Sequence, residues 1–116
     1  MAKKILVVDD EVDILLALQK RLESHGYEVL TATSSHEALE IVRQIKPDLI
    51  ILDMMMPVMD GMQFSKILRS EAATQSIPII FLTALESKDQ EGGEIIFSKP
   101  FDSQKLLERI EALIGV

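Results

Sequence analysis

Hydrophobic and polar positions alternate along the chain between two patterns: short unbroken aliphatic runs, and longer stretches where apolar residues recur every three or four positions. The first run, Lys4 to Val8 (KILVV), is rich in β-branched residues and stops at Asp9-Asp10, as a strand buried on both faces would. From Glu11 the period changes. Ile14, Leu15, Leu18 and Leu22 share one side of a predicted helix, with Asp13, Gln19, Lys20 and Glu23 on the other, and Gly26 ends it. Tyr27 to Ala32 (YEVLTA) reads as a second strand. Ser34 with Glu37 three residues on is a capping-box pattern, and Ala38, Leu39, Ile41, Val42 and Ile45 supply the apolar face of a helix that Lys46-Pro47 ends.

Leu49 to Leu52 is a third strand, followed after a loop by a helix from about Gly61 to Ser70 that turns Phe64, Ile67 and Leu68 inward. Ile77 to Leu82 is a fourth strand with Pro78 tolerated near its start, and Ile95 to Phe97 a brief fifth. In the closing segment, Asp102 to Ile114, residues Leu106, Leu107, Ile110, Leu113 and Ile114 keep helical spacing behind a cap at Asp102 or Ser103. Strands that are apolar on both faces, alternating with amphipathic helices, specify a doubly wound parallel sheet of the α/β class. At 116 residues, with no internal repeat or linker, residues 1–116 are expected to form one domain.

Composition narrows the function classes. With 47% hydrophobic and 27% charged residues the chain is an ordinary globular sequence, not a disordered one. The absence of cysteine excludes disulfides and thiolate metal sites, and is compatible with a reducing compartment. The apolar run after Lys3-Lys4 is too short for a signal peptide, and no later run reaches membrane-spanning length, so a cytoplasmic protein without membrane contact is expected. The net charge of -7 argues against nucleic-acid binding by this chain, because phosphate contacts need a basic surface.

In a doubly wound sheet, ligands bind beyond the carboxyl ends of the strands. The residues there are Asp9-Asp10 after the first strand, Asp53 after the third, Thr83-Ala84 after the fourth and Ser98-Lys99-Pro100 after the fifth. One acid after a strand is ordinarily a helix cap or a solvated turn residue. Several together are different, since two carboxylates ~4 Å apart repel by about 4 kcal/mol at an effective dielectric of 20. Lys99 can neutralise one charge, and a hard dication such as Mg²⁺ the rest. The methionines Met54, Met55, Met56, Met59 and Met62 could suggest a soft Cu(I) site, but no cysteine or histidine accompanies them and methionine commonly fills cores. His25 at a helix end and His36 in a first helical turn read as surface residues, and Ser98 has no evident base to activate it.

Taken together, Asp9-Asp10, the stretch LDMMMPVMDG, Thr83-Ala84 and Lys99-Pro100-Phe101 give the chain its family likeness: it resembles a response-regulator receiver domain of the CheY-like type, from Lys4 to the last helix. The resemblance implies a flavodoxin/CheY-like five-stranded sheet in strand order 2-1-3-4-5, and a phosphorylation-dependent switch of a two-component system. Asp53 would be the phosphoacceptor, and Asp9, Asp10, Asp53 and the backbone carbonyl of Met55 would hold Mg²⁺. Thr83 and Lys99 would meet the phosphoryl oxygens. In-line phosphoryl transfer asks for little more than a positioned nucleophile and cations facing those oxygens. The donor would be a sensor histidine kinase or phosphotransfer protein, and the changed surface would bind a downstream target or output domain. Such a receiver phosphorylates and dephosphorylates itself, without turnover of an external substrate. Met55 and Leu85 would shield the acyl phosphate from water.

Two features depart from the family pattern. Ile96 stands where receivers usually carry an aromatic switch residue, three positions before the lysine, and alternation turns the adjacent Phe97 to the opposite face. Residues 84–94 contain Leu85 as their only large apolar side chain, so a shortened or frayed fourth helix, or a mobile loop, is expected there. Two other functions are less well matched. A Mg²⁺-dependent phosphohydrolase would need a substrate-binding cap, and a nucleotide binder would need a glycine-rich first loop.

Overall fold

A computed structural model describes residues 2–54, 61–83, 95–99 and 102–115. Five strands, β1 (Lys4–Val8), β2 (Glu28–Ala32), β3 (Leu49–Asp53), β4 (Ile79–Thr83) and β5 (Ile95–Ser98), form one sheet in the order β2-β1-β3-β4-β5. Every pairing is parallel. The helices among the described residues are α1 (Val12–Glu23), α2 (Ser35–Ile45), α3 (Gly61–Ser70) and α4 (Ser103–Ile114).

Strand alternation divides the core into two layers. Ile5, Val7, Ile51 and Leu82 pack with Leu15, Leu18 and Leu22 of α1 and Leu106, Leu107 and Ile110 of α4. On the other face, Leu6, Val8, Ile50, Leu52 and Phe81 pack with Ala38, Leu39 and Val42 of α2 and with Phe64 and Leu68 of α3. All five residues of β3 are buried, which is why that strand reads as a continuous apolar run and not as an alternation. Each fully buried aliphatic side chain contributes about 1.5–3 kcal/mol, so the two layers fix the sheet firmly. Phe97 is half-buried and packs on the α1/α4 layer, as its register opposite Leu82 requires.

Helix ends follow local chemistry, with one shift. Ser34 Oγ accepts from the Glu37 amide at 3.2 Å, as the capping pattern predicts, but the Glu37 carboxylate reaches back to the amide of Thr33, one residue earlier than the usual reciprocal bond. Helix α2 ends at Lys46 in the left-handed region at φ 55, ahead of Pro47. Asp102 caps α4 by accepting from the amides of Gln104 and Lys105. The second and fourth strands begin later than the sequence pattern suggests. Tyr27 lies before β2 yet is buried in the α1/α4 core layer, and its hydroxyl donates to the Gly115 carbonyl at 2.8 Å, just past the end of α4. Ile77 is likewise buried before β4, in a turn closed by its amide on the Thr74 carbonyl. The expected short fourth helix in 84–94 and the side chain of Ile96 lie outside the described residues. Among the described residues, no helix is long and apolar enough to cross a membrane.

The sheet order reverses at β1, whose neighbours are β2 on one side and β3 on the other. A crevice therefore opens beyond the carboxyl ends of β1 and β3, where Asp9 and Asp53 stand.

Candidate functional site

Three backbone bonds pin the crevice. The Asp9 amide donates to Ala32 O at 3.1 Å, the Met54 amide to Leu82 O at 2.8 Å and the Lys99 amide to Thr83 O at 2.6 Å. Each carries the sheet ladder to the last residue of a strand or just past it. Asp9, Asp53, Thr83 and Lys99 are thus presented on one edge by the hydrogen-bonded strands of the sheet.

Their charges meet at Lys99. Its ammonium lies 2.9 Å from Asp9 Oδ2, 3.0 Å from Glu11 Oε1 and 3.5 Å from Asp53 Oδ2. The side chains of Asp9 and Asp53 are 0% and 4% exposed and that of Lys99 11%, whereas Glu11 is 60% exposed. Burial works against the Lys99 charge, but the contacts with Asp9 and Glu11 and the charges of Asp9 and Asp53 outweigh it and hold the ammonium well above the ordinary lysine range. Asp9 Oδ1 accepts from the Glu11 amide at 2.9 Å, while the buried Oδ2 faces the Lys99 ammonium at 2.9 Å.

Asp9, Asp10, Glu11 and Asp53 each offer a carboxylate oxygen within 4.8 Å of the others. One ammonium does not balance such a set. All four donors are hard carboxylate oxygens gathered within 4.8 Å of one another, so the site fits a hard dication such as Mg²⁺ and not a soft metal.

Of the residues picked out in the sequence, Asp9, Asp10, Asp53 and Lys99 come together, with Thr83 buried on the same edge. Met55 lies outside the described residues, as do Leu85, Met56 and Met59. Met54 packs against the α2/α3 core layer, which suits a core-filling methionine, and Met62 is exposed. His25 is exposed at the end of α1, with Nδ1 3.0 Å from the Arg21 carbonyl, and His36 is exposed in the first turn of α2. Glu11 is the residue the sequence reading missed. It reads as a helix start and does serve as the N-cap of α1, yet its side chain turns to Lys99, 88 positions away. The available signal was its place directly after Asp9-Asp10, at the mouth of the crevice.

Comparison with known proteins agrees with this geometry. A family model described as "Response regulator receiver domain" matches residues 5–111. The alkaline phosphatase synthesis transcriptional regulatory protein PhoP of Bacillus subtilis is 42% identical over 98% of this chain, and the chain spans about half of that relative's length, 49%. The chemotaxis protein CheY4 of Vibrio cholerae superposes with a TM-score of 0.88 at 33% identity, over 97% of this chain and 99% of that one. The receiver domain of the sensor histidine kinase PA1611 from Pseudomonas aeruginosa, solved with a magnesium ion coordinated in its active-site cleft, superposes over the full length of both chains with a TM-score of 0.88 at 26% identity.

Proposed function

Since this chain belongs to the response-regulator receiver family, we propose that it is a phosphorylation-dependent signalling switch in which Asp53 accepts the phosphoryl group. One observation carries the reading: a nearly buried Asp53 carboxylate, fixed at the sheet edge, stands 3.5 Å from an ammonium and inside a cluster of further carboxylates. An Asp53 oxygen attacks phosphorus in line. The new P–O bond forms as the P–N bond of a donor phosphohistidine breaks, and the departing imidazole nitrogen takes a proton from solvent. Lys99 neutralises charge on the transferred oxygens, and Thr83, at the end of the neighbouring strand, supplies a hydroxyl to them.

Asp9, Asp10 and Asp53 are the described residues that would hold Mg²⁺, with the Met55 carbonyl, outside the described residues, completing the set by family resemblance. When bound, the ion would add fixed positive charge that offsets the carboxylates and faces the transferred oxygens. The donor is a histidine kinase or phosphotransfer protein, the receiver of the signal is a downstream protein or output domain, and the cycle runs in the cytoplasm. The domain carries a phosphoryl group and does not turn over external substrates.

Acetyl phosphate tests this without a protein donor, its P–O bond breaking as acetate leaves. With Mg²⁺ present, intact mass should show one added phosphoryl group on the wild-type chain and none on Asp53→Asn. Continuous hydrolysis of phosphate esters without an adduct would instead make the chain a phosphohydrolase and overturn the proposal.

A further inference from the structure

Glu11 is not needed as a metal ligand by the reading above, yet it makes one of the two shortest contacts to the catalytic ammonium. Lys99 stands nearer to Asp9 and Glu11, at 2.9 and 3.0 Å, than to Asp53, at 3.5 Å. The lysine is thus drawn toward the α1 side of the crevice, away from the carboxylate that is to receive the phosphoryl group. The two anchors differ. Asp9 is wholly buried, with its Oδ1 tied to the Glu11 amide and its Oδ2 2.9 Å from the ammonium, so it is held in the site. Glu11 is 60% exposed and can turn into water.

We propose that Glu11 is a positioning residue that latches Lys99 in the unphosphorylated state, so that phosphorylation of Asp53 exchanges the Glu11 carboxylate for a phosphoryl oxygen on the ammonium. The inference rests on Asp53 being the phosphoacceptor. The exchange is electrostatically natural. A carboxylate of charge -1 becomes an acyl phosphate of charge about -2, which attracts Lys99 more strongly and repels Glu11. Because the Glu11 end of the pair is 60% exposed and screened by water, this contact can be broken by such a change of charge where the one to the wholly buried Asp9 could not. Before transfer, the same carboxylate slows the reaction twice over, by holding the lysine back and by repelling an incoming dianionic donor.

Two substitutions separate reach from charge. Glu11→Gln removes the charge at nearly constant size, and Glu11→Asp keeps the charge but retracts it by one methylene. Adduct formation on acetyl phosphate is followed by intact mass at saturating Mg²⁺, with Mg²⁺ affinity measured by calorimetry and folding by a urea midpoint. The latch predicts that Glu11→Gln forms the adduct about threefold to tenfold faster than wild type, from releasing the ion pair and relieving like-charge repulsion, and that Glu11→Asp, which releases the pair but keeps the charge, is accelerated by a smaller factor of about two to three. It predicts an unchanged urea midpoint, since the side chain is mostly in solvent. An unchanged or slower rate in Glu11→Gln overturns the latch. So does a wild-type rate in Glu11→Asp, which would leave only a long-range charge effect. Absence of any adduct on the wild-type chain would fall on the parent reading and not on Glu11.

Discussion

At the scale of single residues, the site is organised by one cation among several anions. Replacing Lys99 with methionine keeps most of its volume and leaves the fully buried Asp9 without the ammonium that meets Oδ2 at 2.9 Å. Breaking such a pair from one side is costly, so Lys99→Met should lose about 2–4 kcal/mol in urea unfolding at neutral pH without Mg²⁺. The pH dependence has a definite sign. Lys99 is raised in the folded state, so its contribution is fully present below the unfolded lysine value of about 10.4 and is lost only as pH rises through the higher folded value. From the lysine, the difference between wild type and variant should therefore be level from pH 6 to 9 and shrink only in strong alkali; a decline already between pH 7 and 9 would contradict the raised ammonium. Most of this site could be read before the structure was known, for a physical reason. Asp9, Asp53, Thr83 and Lys99 each close an aliphatic run, and in a parallel sheet all such ends face one way. Glu11 could not be read in the same way, because its role is decided by a lysine 88 residues distant and not by its neighbours in the chain.

At the scale of elements, α1 links the crevice to the protein surface. It begins directly after Glu11, and two of its large apolar residues one turn apart, Val12 and Leu16, are 54% and 52% exposed while Leu15, Leu18 and Leu22 are buried. An apolar pair on the helix that begins directly after Glu11 suits a protein donor that would dock before transfer to Asp53, whereas acetyl phosphate needs no docking surface. Leu16→Asp should then slow phosphorylation by a phosphohistidine protein about tenfold, the effect of losing ~1.4 kcal/mol of contact, and leave the acetyl phosphate rate unchanged. Equal slowing with both donors would mean that the change acts on the fold. Elements were legible where periodicity and burial agree, as in α1 or β3. They were misjudged by a residue or two where a side chain joins the core from just outside the strand, as Tyr27 does ahead of β2. The capping pattern at Ser34 was also right in kind, but backbone geometry, which spacing does not encode, moved the reciprocal bond to Thr33.

At the scale of the whole molecule, apolar periodicity alone leaves the strand order open, and it is the order that places β1 beside β3 and so brings Asp9 to Asp53. Their meeting is a cost of folding. The chain carries a net charge of -7, and folding gathers four carboxylates within 4.8 Å of one another, with one ammonium, that of Lys99, among them in the described residues. The unfolded chain feels far less of this repulsion, so a dication that binds the folded site should stabilise the fold by mass action, by about 2.7 kcal/mol at a hundred times its dissociation constant. For a domain of this size that is roughly a 10 °C rise in melting temperature, from about 4 °C per kcal/mol. Sodium chloride at matched ionic strength screens exposed charges but reaches Asp9 and Asp53 poorly, because their side chains are 0% and 4% exposed. Mg²⁺ should therefore raise the melting temperature well beyond sodium chloride, and Asp53→Asn should lose a large part of that increment. Equal shifts from the two salts would mean that the acidic edge is screened like any other surface charge and offers no seat for an ion.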